Sequence, residues 1–97
     1  MYNFNTKFDY DLLKSKSNLE KHGVSFEDAR ELWAIQKVYE IKARSVYEER
    51  WMRIGEMRGK CYSCIYVIRE EAVRIVSCRR SRAREEMKYR EEIQKKD

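Results

Sequence analysis

The stretch CYSCIYVI, Cys61–Ile68, has one polar side chain, Ser63, among eight positions. A run so short, so uniformly apolar and so rich in β-branched and aromatic residues suits a strand buried on both sides. The chain must therefore fold as a sheet with material packed above and below it. Neighbours on a strand point to opposite faces, so Cys61 and Cys64, three apart, are directed away from each other. With no second cysteine pair and a single histidine in the chain, this C-x-x-C reads as buried, reduced thiols, and no metal or other cofactor is expected.

The flanking segments supply the rest of the sheet. KVYEI (Lys37–Ile41) alternates as a short strand, and ERWMRIG (Glu49–Gly55) as a second. MRGK offers a turn at Gly59, and Val73–Cys78 forms a fourth strand after a turn at Glu70 and Glu71. Before the sheet, Asp11 is placed to cap a first helix, DLLKSKSNLEKH, with Gly23 closing it; Leu12 and Leu19 share one of its faces. Ser25 and Asp28 are spaced as a capping box, with Val24 and Ala29 as its apolar staple, opening a second helix from Phe26 to about Trp33. After the sheet, Ser81 is expected to cap a third helix that runs to about Lys95, with Ala83, Met87 and Ile93 as its main apolar positions and a frayed QKKD end. The fold class is α+β: two N-terminal helices, a four-stranded antiparallel sheet and a C-terminal helix in one domain spanning residues 1–97.

Charge is distributed unevenly. Residues 74–90 hold seven of the 22 basic residues and two of the 17 acidic ones, so this window carries the whole net +5, and the remainder balances. A local excess of this kind is either a solvated helix face or a patch for a polyanion or an acidic protein. Within it, Arg79, Arg80, Arg82 and Arg84 gather where a strand gives way to a helix, although helix starts favour negative side chains. Alternation puts Arg74, Val76, Cys78 and Arg80 on one side of the strand and Val73, Ile75, Ser77 and Arg79 on the other. These guanidinium groups either pair with Glu70, Glu71, Glu85 or Glu86, or grip phosphate oxygens through their planar forks. Lys21, Arg74, Arg80, Arg82 and Lys88 are the candidate contacts to an RNA backbone. His22, the only side chain whose ordinary pKa lies near neutrality, either complements the C-terminal dipole of the first helix or moves a proton in RNA cleavage.

Other chemistries are absent from the sequence: no phosphate-binding loop, dinucleotide fingerprint, EF-hand or paired-histidine motif occurs, and three glycines do not build a Gly-rich cradle. No apolar run is long enough to span a membrane, the N-terminus lacks a signal-peptide layout, and a cytoplasmic protein is expected. An enzyme built from these residues would work by positioned charge and at most one group that titrates near neutrality, which points to metal-independent phosphodiester cleavage.

Four stretches resemble the BrnT family of toxins. FDYDLLK (Phe8–Lys14) is similar to the opening F-E-W-D-x-x-K, and NLEKHGVSFEDA (Asn18–Ala29) to N-x-x-K-H-G-V-S-F-E-E-A. EERWMRIG (Glu48–Gly55) resembles E-R-x-x-x-I-G, and VRIVSCRRSRAREEMKY (Val73–Tyr89) the I-R-I-I-S-A-R-R-A-T-x-x-E-x-x-x-Y ending. The chain departs from the pattern at Tyr10, Leu12, Cys78, Ser81, Arg82 and Ala83, and KARSVYEER lacks the usual Asp/Pro-rich loop. The resemblance implies a RelE-like ribonuclease toxin of a type II toxin–antitoxin pair that stops translation. Its partner would be a BrnA-like ribbon-helix-helix antitoxin in a heterotetramer that reaches operator DNA only through the antitoxin. On this reading the ribose 2′-OH attacks the adjacent phosphate. Arg79, helped by Arg80 and Arg84, stabilises the transition state, and His22 handles a proton near Lys21; Glu49, Glu85 and Tyr89 orient these groups. The alternative is a non-catalytic domain that binds nucleic acid, or binds an antitoxin as a co-repressor.

Overall fold

In a computed structural model of the chain, which describes residues 6–95, the order of elements is β1 (Phe8–Asp9), α1 (Leu12–His22), α2 (Phe26–Ala29) running on as a 3-10 turn (Arg30–Trp33), β2 (Val38–Ala43), β3 (Arg50–Met57), β4 (Lys60–Arg69), β5 (Ala72–Arg80) and α3 (Ala83–Lys95). The five strands make one sheet in the order β1-β5-β4-β3-β2. Strands β2 to β5 are the expected antiparallel meander, and β1 adds a parallel edge, with Phe8 opposite Val73 and Asp9 opposite Arg74. The sheet is thus mixed and five-stranded rather than four-stranded. Two residues carry no period that sequence reading can detect. Part of the QKKD end, Lys96 and Asp97, lies outside the described residues.

Local chemistry sets the helix ends. The Asp11 carboxylate accepts from the Leu13 and Lys14 amides at 2.9 and 3.0 Å. Gly23 closes α1 in the left-handed region (φ 77°), which costs glycine nothing, and its N–H donates to the Leu19 carbonyl. Ser25 and Asp28 form the reciprocal capping box at 2.9 and 3.0 Å, with Val24 and Ala29 buried beside it. Arg58 and Gly59 both have positive φ, as a tight hairpin turn between β3 and β4 requires.

The sheet is covered on both faces, as the Cys61–Ile68 run demands. On one face Phe26, Leu32 and Trp33 pack on Cys64, Tyr66, Ile75 and Cys78. Trp33 meets Phe8 and Tyr66 edge-on at 5.4 and 5.1 Å. Arg53 is also buried on this face, its Nε donating to the Leu32 carbonyl at 2.8 Å and its Nη1 paired with Glu40 at 3.0 Å. On the other face Tyr89 and Ile93 of α3 cover Ile54 and Cys61. Cys61 and Cys64 therefore lie in different cores, as alternation requires. The apolar side of α3 is displaced from the expected one: Met87 and Ala83 are exposed, and Tyr89 with Ile93 makes the contact.

Gly55 lies directly under the 3-10 turn and the residues that follow it. A Cβ there would lie 2.8 Å from Ile35 Cδ1 and 3.2 Å from both Leu32 and Val38. Gly55→Ala is expected to destabilise the fold by about 1–3 kcal/mol through overpacking, read as a lower midpoint in urea unfolding.

Two features depart from simple periodicity. Ile65 pairs with Ser77 but Tyr66 with Ile75, so Val76 is an extra residue in β5. This bulge lets Ile75 and Cys78, three apart, enter the same core. It also moves Arg74 onto the same side as Arg79: Arg74 faces Val67 and Arg79 faces Ser63, and these two positions of β4 share a face. The strict alternation expected for this strand therefore fails at Arg74.

Helix α1 is inverted. Its buried residues are Ser15 and Asn18, whereas Leu12, Leu13 and Leu19 are exposed. The Asn18 carboxamide occupies the β5 edge beyond β1: Nδ2 donates to the Cys78 and Val24 carbonyls at 2.8 Å, and Oδ1 accepts from the Cys78 amide at 3.3 Å. Ser15 Oγ accepts from the Phe26 amide at 2.9 Å. The inward face of α1 is thus committed to the backbone, not to side-chain packing. Among the described residues no helix is long and apolar enough to cross a membrane.

Candidate functional site

The end of β5 and the start of α3 build one polar cluster. Register places Arg79 opposite Ser63 on the face that α3 covers. The chain leaves β5 at Arg80, and α3 begins at Ala83, one residue later than a Ser81 cap would give. Glu85, in the first turn, accepts from the Arg82 amide at 2.9 Å and so performs the capping from inside the helix. Ser81 Oγ bonds Ser63 Oγ at 2.8 Å instead of capping.

Glu85 is the hub. Arg79 Nη1 and Nη2 donate to its two oxygens, each at 2.8 Å, and Ser63 Oγ donates to Oε1 at 2.9 Å. With the Arg82 amide, four donors hold the carboxylate. Arg79 first of all, then the other donors, lowers its pKa from 4.5 to about 2, against the cost of partial burial. The same pair raises the Arg79 pKa above its ordinary value. Both are therefore charged at neutral pH, and Arg79 is held in one orientation; its Nη1 also donates to the Arg80 carbonyl at 3.2 Å, so Nε and the second Nη2 hydrogen of the 23% exposed side chain are the donors without an acceptor among the described residues. Glu85 orients Arg79 rather than its neighbour Arg84.

Beyond this pair the charge is unbalanced. Arg80, Arg82 and Arg84 are exposed, and among the described residues no carboxylate pairs with any of the three. Arg80 points to the opposite face of the sheet from Arg79, its guanidinium 6.0 Å from the centre of the Tyr62 ring. Arg82 and Arg84 project from the start of α3.

The same sheet face continues away from α3 as a basic surface. Arg74 pairs with Asp9 across β1 and β5. Arg50 and Arg69 share Glu48, at 3.5 and 3.0 Å, and Arg69 holds that carboxyl below its ordinary pKa. Ser63, Arg50 and Arg69 were not apparent in the sequence. Arg50 and Arg69 lie outside the basic window, and only the strand register reveals that they share a face with Arg79.

The remaining expected site residues are dispersed. Lys88 pairs with Glu92 at 3.3 Å on the outer side of α3. Tyr89 is buried, its OH donating to the Lys37 carbonyl at 3.2 Å, and burial pushes its pKa up. Glu49 pairs with Lys42 at 3.0 Å where β2 and β3 meet. Lys21 and His22 are exposed in the last turn of α1. That helix runs alongside β5, with Asp11 near Arg74 and Asn18 at Cys78, so its last turn comes level with Arg80. Among the described residues no hydrogen bond or ion pair ties His22 to the Arg79–Glu85 pair. The structure thus joins Arg79 and Glu85 directly, places Arg82 and Arg84 in the adjoining turn, and leaves Glu49, Lys88 and Tyr89 in other contacts.

Comparison with curated proteins finds no match. The family model BrnT_toxin, described as the ribonuclease toxin BrnT of type II toxin–antitoxin systems, matches residues 10–85, from the residue before the α1 cap through the hub carboxylate. The chain belongs to this family of type II ribonuclease toxins, whose members are paired with an antitoxin.

Proposed function

We propose that this toxin is a metal-independent endoribonuclease that cuts RNA to leave 2′,3′-cyclic phosphate and 5′-OH ends, and thereby stops translation and growth. The observation that carries the reading is the Arg79 fork, fixed by a Glu85 carboxylate that Ser63 also holds, and adjoined in the next turn by Arg82 and Arg84, which have no carboxylate partner among the described residues. A scissile phosphate at the open side of Arg79 meets a donor pair that needs no reorganisation as charge develops on its oxygens. Arg82 and Arg84 add charge from the α3 side, and Arg74, Arg50 and Arg69 guide the strand across the sheet through its phosphates. Guanidinium groups here do what a divalent ion does elsewhere, since the carboxylate of the cluster is already filled by four donors.

In the chemical step the 2′-oxygen bonds to phosphorus as the bond to the 5′-oxygen breaks. One proton leaves the 2′-OH and one reaches the departing 5′-oxygen. His22, from the last turn of α1, is assigned one of these transfers. His22→Gln is expected to slow cleavage by about 100-fold with binding retained, measured as single-turnover cleavage of a labelled RNA. The partner on this reading is a BrnA-like ribbon-helix-helix antitoxin that forms a heterotetramer with the toxin and makes the operator DNA contacts.

The test is induced expression with and without the antitoxin, followed by mapping of RNA ends, and cleavage by purified toxin in EDTA. Cyclic phosphate ends formed in EDTA support the proposal. Salt-sensitive RNA binding that generates no new ends identifies a non-catalytic binder instead.

A further inference from the structure

All three leucines of α1 are turned to solvent. Leu12 is 77% exposed, Leu13 79% and Leu19 46%, while Ser15 and Asn18 point inward. A helix on the surface of a lone domain shows the reverse arrangement, with leucines buried and polar residues outside. The inward polar residues are fully engaged with the backbone at Cys78, Val24 and Phe26, so the helix cannot turn to bury its leucines without breaking those bonds. Its outward face has the character of half an interface.

The charges around that face indicate what it accepts. Lys16 lies between Leu12 and Leu13 around the helix, with Glu20, the helix's sole acidic residue, beside it, and Lys14 and Lys21 lie together on the flank beyond Leu13. Among the described residues none of these lysines is paired with a carboxylate. Level with its last turn stands Arg80, which has no carboxylate partner among the described residues.

We infer that the exposed leucine face of α1 is the docking surface for an acidic amphipathic segment of the antitoxin, with leucine-like side chains between Leu12 and Leu19 and carboxylates on the lysines. This rests on membership of the type II family for the existence of the partner, and not on the ribonuclease reading. A segment lying along α1 is led by the helix towards the arginines at the end of β5. Docking on this helix and neutralisation of the cationic site are then parts of one contact.

The test uses the full chain and the antitoxin of the same operon, co-expressed and purified, with affinity measured by calorimetry. Leu12→Glu/Leu19→Glu is expected to weaken binding by roughly 100-fold or more, since exposed apolar anchors become charges facing an acidic partner. Leu12→Met/Leu19→Met is expected to bind within a few-fold of the parent. Lys14→Glu/Lys16→Glu is expected to weaken binding and flatten its salt dependence. Circular dichroism and RNA cleavage by the free toxin are expected to stay unchanged in all three. The proposal is overturned if the parent forms no complex or if the glutamate variant binds the antitoxin as the parent does. It is equally overturned if that variant only converts a dimer of the free toxin to a monomer. A parent that binds its antitoxin through these leucines yet cuts no RNA leaves the docking surface standing and removes the ribonuclease reading alone.

Discussion

With Arg79 replaced by alanine, RNA cleavage falls by roughly 100- to 1,000-fold, the effect of removing a preorganised donor from a developing oxyanion. Induced expression of the variant no longer arrests growth. The fold survives, because Glu85 keeps its bonds from Ser63 and the Arg82 amide and both side chains of the pair lie at the edge of the core. Arg79→Lys separates charge from shape: it restores one positive centre but not the two-pronged contact to Glu85 and the phosphate, so activity stays well below the parent. Cleavage assays on folded protein, with circular dichroism as the control, read both variants. Parental activity in Arg79→Ala would reject the role assigned to this arginine.

Glu85→Gln is expected to cost about 2–3 kcal/mol of stability at neutral pH and to change the acid limb of the stability curve. The carboxyl titrates at about 2 in the folded chain rather than at its ordinary 4.5. A folded pKa below the unfolded one stabilises the protein above the unfolded pKa, and that contribution disappears as pH falls from about 4.5 to about 2. The gap corresponds to about 3 kcal/mol, lowered somewhat by partial solvent contact. Asp11, Asp28, Glu48 and Glu92 are also lowered, so the parent loses stability from several groups in acid. The informative quantity is therefore the difference between parent and variant in urea unfolding, large at pH 7 and small at pH 2. A difference that does not shrink in acid would mean that the Glu85–Arg79 pair contributes no linkage.

Where local rules govern, the sequence was a sound guide. The Asp11 cap, Gly23, the Ser25–Asp28 box, the Gly59 turn and the opposed faces of Cys61 and Cys64 each follow from chemistry within a few residues. Glu86 and Arg90, four apart on α3, likewise form a helix-surface pair at 3.2 Å. What escaped depends on distant partners. β1 exists because Lys7–Asp9 finds the edge of β5, with the Val73 amide donating to the Lys7 carbonyl at 2.8 Å. The bulge at Val76 has no glycine or proline to announce it, and it decides which arginines share a face. The capping of α3 moved from Ser81 to Glu85 because Ser63, eighteen residues earlier, claimed the Ser81 hydroxyl. At the site, the arginine cluster was visible as a charge window. Which arginine is oriented, and by which carboxylate, required the register of β4 on β5.

The Asn18 carboxamide has a consequence for the protein's behaviour in a crowded cell. Strand β5 is flanked by β1 only as far as Arg74, and an uncovered strand beyond that point is a template for hydrogen bonding with another molecule. One side chain from α1 answers the Cys78 N–H and carbonyl together, as a neighbouring strand would. Detachment of α1 would expose that template alongside the leucines of the same helix, so the first step of unfolding would also be the first step towards aggregation.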